Sequence, residues 1–179
     1  MSQKEIREYL VNNEQDMKNV VIELLSKLKL GGSTAKFEGG AVALALNGDL
    51  GTGKTTFTKV LAKELGIEEP ITSPTFVIQK SYQIPKQNHK GPISLQTARR
   101  GLAVKKLVHI DAYRLENGVD MDVLDFVNTI SEQNNLIVIE WAENIKSALP
   151  KNAINLNFEY IDDSTRKITI DGILENDGQ

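Results

Sequence analysis

The sequence predicts an α/β fold, a mostly parallel central sheet covered by helices on both faces, with an antiparallel hairpin added at a C-terminal edge. Three observations carry that prediction. Short apolar runs at Ala41–Leu46, Leu107–Ile110 and Leu136–Ile139 alternate with stretches of helical period. Runs apolar at every position are what strands buried on both faces require. The last third then changes character, because Ile154–Ile161 and Arg166–Ile170 flank the turn residues Asp162-Asp163-Ser164-Thr165, which is a hairpin pattern.

With 179 residues and 40% hydrophobic content, the chain has material for one core, so a single domain over 1–179 is expected. It has no cysteine, which removes disulfide frameworks and thiolate metal sites and suits a reducing cytosol. Met1-Ser2-Gln3-Lys4-Glu5 lacks the basic and apolar regions of a signal peptide, and no apolar run approaches membrane-spanning length. A soluble, cytoplasmic protein with no membrane partner is the expectation. The net charge of −3 is unevenly spread. Pro70 to Ile110 contains no acid and carries Lys80, Lys86, Lys90, Arg99, Arg100, Lys105 and Lys106. Such a stretch can face a polyanion, although charges spread along a loop are usually just solvated.

In chain order, Met17, Val20, Val21, Leu24, Leu25 and Leu28 share one helical face, with Glu14 and Asp16 in the first turn, predicting a helix over 13–30. Gly31-Gly32-Ser33 opens a loop. A strand follows at Ala41–Leu46, and Thr55–Leu65 reads as a helix stopped by Gly66. Ser73-Pro74 marks a turn, and Thr75–Ile78 continues as a short β-prone run. Residues 83–106 hold no sustained period and form a basic excursion. Two apolar runs then end in carboxylates, at Asp111 and Glu140, and between them Val123, Leu124, Val127 and Ile130 fall on one face of a helix within 120–133. The hairpin occupies 153–171.

Between the first strand and its helix stands Gly48-Asp49-Leu50-Gly51-Thr52-Gly53-Lys54-Thr55, which fits G-x-x-x-x-G-K-[ST]. Glycines let successive backbone N–H groups turn onto phosphate oxygens, and the helix starting there adds the positive end of its dipole. Lys54 is placed to reach β- and γ-phosphates, and the Thr55 hydroxyl to ligate Mg²⁺ bridging them. A plain glycine turn has no need of Lys-Thr. Ligands of open parallel sheets sit at strand carboxyl ends, where Asp111 and Glu140 stand. A P-loop enzyme needs one carboxylate near Mg²⁺ and one group to orient water, and two strand-end carboxylates could divide those tasks.

Taken in order, Gly48 to Phe57, Ser73-Pro74-Thr75-Phe76, His109-Ile110-Asp111-Ala112-Tyr113-Arg114-Leu115 and Ile139-Glu140-Trp141 resemble the TsaE family of P-loop ATPases in bacterial tRNA threonylcarbamoyladenosine biosynthesis. The resemblance runs from about the N-terminal helix to Pro150. It implies a P-loop NTPase-like three-layer sandwich that docks on TsaD and TsaB, the proteins that transfer threonylcarbamoyl to adenine 37 of tRNA. ATP and Mg²⁺ are the implied cofactors, with Lys54, Asp111 and Glu140 catalytic. Nucleotide contacts fall to Asp49, Leu50, Gly51, Thr52, Gly53, Lys54, Thr55 and Thr56, with Thr75 in a switch-like segment and Trp141 beside Glu140. The implied metal ligands are Thr55 with Glu140 or Asp111, with Glu140 assigned nearer Mg²⁺ and Asp111 to the water.

Several of these residues have plain structural alternatives. Trp141 could be a core anchor, His109 a hydrogen-bonded core histidine, and Arg114 a salt-bridge partner. The sequence departs from the family pattern at Thr52, where alanine is common, in the glycines before the first strand, and in the long basic excursion, whose segment 80–106 would be the route of any tRNA contact. Two rival functions share the motif. A small P-loop kinase would use Arg99 and Arg100 in a lid, and a non-catalytic docking protein would bind nucleotide without hydrolysing it. A GTPase is disfavoured because no [NT]-K-x-D stretch occurs.

Overall fold

The computed structural model describes residues 4–30, 40–85, 104–115 and 125–174. Its strands are β1 (Lys4–Val11), β2 (Val42–Asn47), β3 (Gln79–Gln83), β4 (Lys106–Asp111), β5 (Asn135–Glu140), β6 (Ile154–Tyr160) and β7 (Arg166–Leu174). Helices α1 (Glu14–Leu30), α2 (Lys54–Glu64) and α3 (Phe126–Ser131) lie between them, and a 3-10 turn covers Ala142–Ile145. The strands form one mixed sheet in the order β1-β7-β6-β2-β5-β4-β3.

Strand alternation divides the core into two clusters. Leu44 and Leu46 of β2, Leu107 of β4, and Leu136 and Val138 of β5 pack with α1 and α2. Ala43, Ala45, Val108, Ile110, Ile137 and Ile139 point the other way, onto Phe126 of α3 and Ala142 and Ile145 of the 3-10 turn. Helix α1 forms where its apolar face predicts, with Met17, Val20, Val21, Leu24 and Leu25 all buried. Burying each such side chain stabilises the fold by roughly 1.5–3 kcal/mol. The start of α1 is fixed by a reciprocal cap, in which the Asp16 N–H donates to Asn13 Oδ1 at 2.9 Å and Asp16 Oδ2 accepts from the Asn12 N–H at 2.9 Å. Gly66, at φ 80, ends α2 as expected. Among the described residues no helix is long and apolar enough to cross a membrane.

The structure corrects the sequence reading in four places. The sheet is evenly mixed: β6–β2, β2–β5 and β5–β4 are parallel, while β1–β7, β7–β6 and β4–β3 are antiparallel. The C-terminal hairpin is not an edge, because β6 pairs with β2 and the N-terminal strand β1 covers β7. The run Thr75–Ile78 is a turn rather than a strand. The Val77 and Ile78 N–H groups both donate to the Pro74 carbonyl, at 2.9 and 2.6 Å, and Ile78 sits at φ 64, so pairing begins only at Gln79. In the predicted helix 120–133, the described part begins at Phe126, which is buried, whereas Val127 is 66% exposed.

Residues 86–103, most of the basic excursion, and 120–124 of the predicted helix lie outside the described residues. The excursion's ends do not hang loose, since Gln83 pairs with Lys106 across β3 and β4.

Candidate functional site

Strands β2, β4 and β5 run parallel and finish at one level, with Leu46 opposite Glu140 and Glu140 opposite Asp111. His109, Asp111 and Glu140 have the parity of Leu107, Leu136 and Val138, so they face α2. The loop from Gly48 to Gly53 crosses this edge and feeds α2.

Glycine is required at Gly48 for two reasons. Its φ is 129, and a Cβ there would stand 2.3 Å from the Phe158 carbonyl oxygen of β6. Gly53 supplies the N-cap of α2 at φ 105, and no side chain caps that helix. The first-turn N–H groups, which have no acceptor within a helix, therefore open onto the loop. Thr52 is buried and its hydroxyl donates to the Asp49 carbonyl at 2.8 Å, which explains how this loop accommodates threonine where alanine is common. Leu50 is 87% exposed, so only its backbone can serve an anion in the loop. Asp49, Gly51 and Thr56 are exposed as well.

Lys54 is 4% exposed. Its ammonium donates to the Gly48 carbonyl and, at 2.8 Å, to that of Asp49, and it lies 3.9 Å from the centroid of the Trp141 ring. Burial pushes the Lys54 pKa below its ordinary value, while Glu143, Glu140, Asp111 and Asp49 oppose that shift. The ammonium is thus enclosed at the loop, with acidic side chains near enough to oppose the effect of burial.

Glu140 is 2% exposed and takes three contacts. Thr55 Oγ1 donates to its Oε2 at 2.7 Å, His109 Nε2 meets Oε1 at 2.8 Å, and Thr58 Oγ1 lies 3.4 Å from the same Oε1. Thr55 and Thr58 are one helical turn apart, so α2 offers both hydroxyls on the face it turns to β5.

Asp111 organises a second cluster. Its Oδ2 accepts from Ser73 Oγ and from Thr75 Oγ1, each at 2.6 Å, and its Oδ1 accepts from the Tyr113 N–H at 3.1 Å. The Ser73–Val77 turn is thereby pinned to the end of β4. Trp141, at φ 58, is half-buried and tilts against Tyr113 with centroids 5.1 Å apart. It roofs the lysine and also packs against the core cluster that holds Ala142 and Ile145. Arg114 stacks over the Phe76 ring, 4.9 Å from its centroid.

Three contributors were missed by sequence reasoning. Glu143, three residues beyond Glu140, accepts from the Gly48 N–H at 3.2 Å. Ser73 shares Asp111 with Thr75. A groove of about 420 Å³ leads away from Gly51, Gly53 and Thr56, between Lys59, Lys63, Asn13 and the β6–β7 turn at Asp163–Arg166. The Glu140 to Glu143 spacing was a readable signal. The groove was not, because its walls come from three segments far apart in the chain, 11–17, 51–63 and 163–166.

These features define a class: an α/β protein whose glycine-rich loop, lysine and two strand-end carboxylates meet at the carboxyl ends of parallel strands. Residues 11–168 match the family model for threonylcarbamoyl adenosine biosynthesis protein TsaE. The chain belongs to the TsaE family, and with it to tRNA threonylcarbamoyladenosine biosynthesis. Among similar curated proteins, each named tRNA threonylcarbamoyladenosine biosynthesis protein TsaE, that of Streptomyces coelicolor is 34% identical over 82% of this chain and 90% of its own. That of Aquifex aeolicus is 29% identical, over 92% and 96%. That of Bacillus subtilis is 32% identical, over 78% and 75%. The crystal structure of Bacillus subtilis YdiB is similar at a TM-score of 0.60 and 25% identity, covering 97% of this chain and 89% of that one.

Proposed function

We propose that this chain is a single-domain P-loop ATPase of three-layer build that binds ATP with Mg²⁺ and hydrolyses it in support of threonylcarbamoyl transfer to adenine 37 of tRNA by TsaD and TsaB. The observation that carries this reading is the pairing of Thr55 Oγ1 with Glu140 Oε2 at 2.7 Å, beside a buried Lys54 and an uncapped helix N-terminus. A hydroxyl and a carboxylate side by side are hard oxygen donors suited to Mg²⁺. Among the described residues no three His, Cys, Asp or Glu side chains form a metal cluster. Mg²⁺ needs no such cage, because it keeps waters and takes phosphate oxygens. The fit supports Thr55 and Glu140 as its protein ligands. Bound there, it would neutralise charge developing on the phosphates.

The chain's own groups then have assignable tasks. Backbone N–H groups of Asp49 to Thr56 hold the phosphates, and Lys54 turns from the Gly48 and Asp49 carbonyls to their oxygens. The groove past Thr56 receives the nucleoside, its volume lying within the range of small-molecule sites. Asp111, already accepting two hydroxyls, orients the attacking water with Thr75, and the Ser73–Val77 turn reports the γ-phosphate. Trp141 covers the site and excludes water.

The test is ATP turnover with no phosphoryl acceptor present, alone and with TsaD and TsaB. Turnover that rises with the partners and disappears in Lys54→Ala supports the reading. ADP formed only when an acceptor is added, with the phosphoryl group recovered on that acceptor, would identify a kinase instead.

A further inference from the structure

His109 has no task in the scheme above, yet it is among the least expected residues of the core. It lies on β4 between Val108 and Ile110, opposite Val138, and is fully buried. An imidazole there forfeits hydration that leucine would not need. Its one hydrogen bond is the 2.8 Å contact from Nε2 to Glu140 Oε1, and Nδ1 is buried with no partner in the described structure. The single bond goes to the carboxylate beside Thr55.

We infer that His109 is a positioning residue for Glu140, and through it for the divalent cation. This inference rests on the proposed Mg²⁺-ATP reading. The donors available to Glu140 are few. A carboxylate only accepts, so the bond puts the proton on Nε2 and fixes the tautomer. Thr58 has one hydroxyl proton, and its contact with the Lys54 carbonyl at 3.1 Å is shorter than that with Oε1 at 3.4 Å. His109 is therefore the principal donor to Oε1, and Thr55 the donor to Oε2. With Oε1 held from the strand side, the carboxylate cannot rotate to offer both oxygens to a cation. Oε2 alone faces the loop, next to the Thr55 hydroxyl. Such outer partners orient metal-ligating groups, and losing one typically weakens metal affinity about 10–100-fold.

The experiment measures nucleotide affinity for the β,γ-imido analogue of ATP in EDTA and in saturating Mg²⁺. The ratio of the two is the gain the cation confers, read without any turnover. His109→Gln keeps an N–H donor near the Nε2 position, and His109→Leu removes it. His109→Leu is expected to keep the EDTA affinity of the wild type, which shows an intact loop and fold, while its Mg²⁺ gain falls about tenfold or more. His109→Gln should retain most of the gain. Should His109→Leu fail to fold, His109→Asn replaces it, a donor too short to reach Oε1, with the same expected loss. A gain unchanged in His109→Leu or His109→Asn would overturn the inference, as would an equal loss in His109→Gln. A wild type with no Mg²⁺ gain would instead overturn the cation reading itself, so the two failures are distinguishable.

Discussion

Replacing Asp111 by asparagine tests the carboxylate at the end of β4 with almost no change of shape. Its Oδ2 accepts two hydroxyls at 2.6 Å and its Oδ1 the Tyr113 N–H at 3.1 Å, so every neighbour is a donor. An amide must present its NH₂ to one side. With its oxygen kept on the Tyr113 N–H, the NH₂ meets Ser73 and Thr75, whose hydroxyls then have to turn and accept. Two charge-assisted bonds become neutral ones, a loss of about 0.5–2 kcal/mol each. Ser73 and Thr75 are half-buried, which favours the lower half of that range, about 1–2 kcal/mol in all. For a chain of 179 residues this lowers Tm by about 2–8 °C. The loosening should centre on the Ser73–Val77 turn, visible as faster amide exchange there. Nucleotide affinity should stay within about threefold of wild type, because the variant touches no phosphate contact, while ATP turnover falls about 10²–10⁴-fold. Turnover retained within about tenfold, with the turn still protected from exchange, would refute the role given to Asp111.

Three further outcomes follow from the same geometry. Gly48→Ala should lower stability by at least about 1–3 kcal/mol, read as a fall in Tm, since φ 129 strains any side chain and the Phe158 carbonyl leaves no room for one. Trp141, the only tryptophan, should change fluorescence when nucleotide draws Lys54 off its ring, and Lys54→Met should be silent on nucleotide addition. For Lys54 the pH dependence has a definite sign. Its folded pKa lies below the ordinary 10.5, so the unfolded chain binds the extra proton and stability rises with pH between the lowered value and 10.5. Thermal unfolding of ligand-free wild type and Lys54→Met should therefore show wild type gaining on the variant as pH climbs through that window.

The legible parts of this fold were those where one physical signal acted alone. Apart from His109 and their end residues, strands β2, β4 and β5 are apolar because both faces are covered, and α1 and α2 keep their apolar period. Strand β1 was hidden because its outward face carries Ile6 and Leu10, 65% and 64% exposed, against Arg7 and Tyr9 on the core side, which inverts the usual alternation. Strand β3 is Gln-Lys-Ser-Tyr-Gln with only Tyr82 buried, so nothing periodic marks it. Within the site, the loop and both carboxylates could be read from strand ends and spacing. Which residues meet could not. The alignment of Thr55 with Glu140, and of Ser73 and Thr75 with Asp111, depends on strand register and on a turn that the β-prone run Thr75–Ile78 disguised.

The central claim is that ATP hydrolysis on this chain sustains the partners' chemistry. It is tested most directly by counting modified tRNA molecules per TsaD in a reaction reconstituted with TsaD, TsaB, threonylcarbamoyl donor and ATP. With the wild-type chain the count should pass well beyond one per TsaD, and with Asp111→Asn, which still binds nucleotide, it should stall near the first turnover. Undiminished repeated turnover with Asp111→Asn, alongside failure with Lys54→Ala, would contradict the account and leave a protein that uses ATP only to dock.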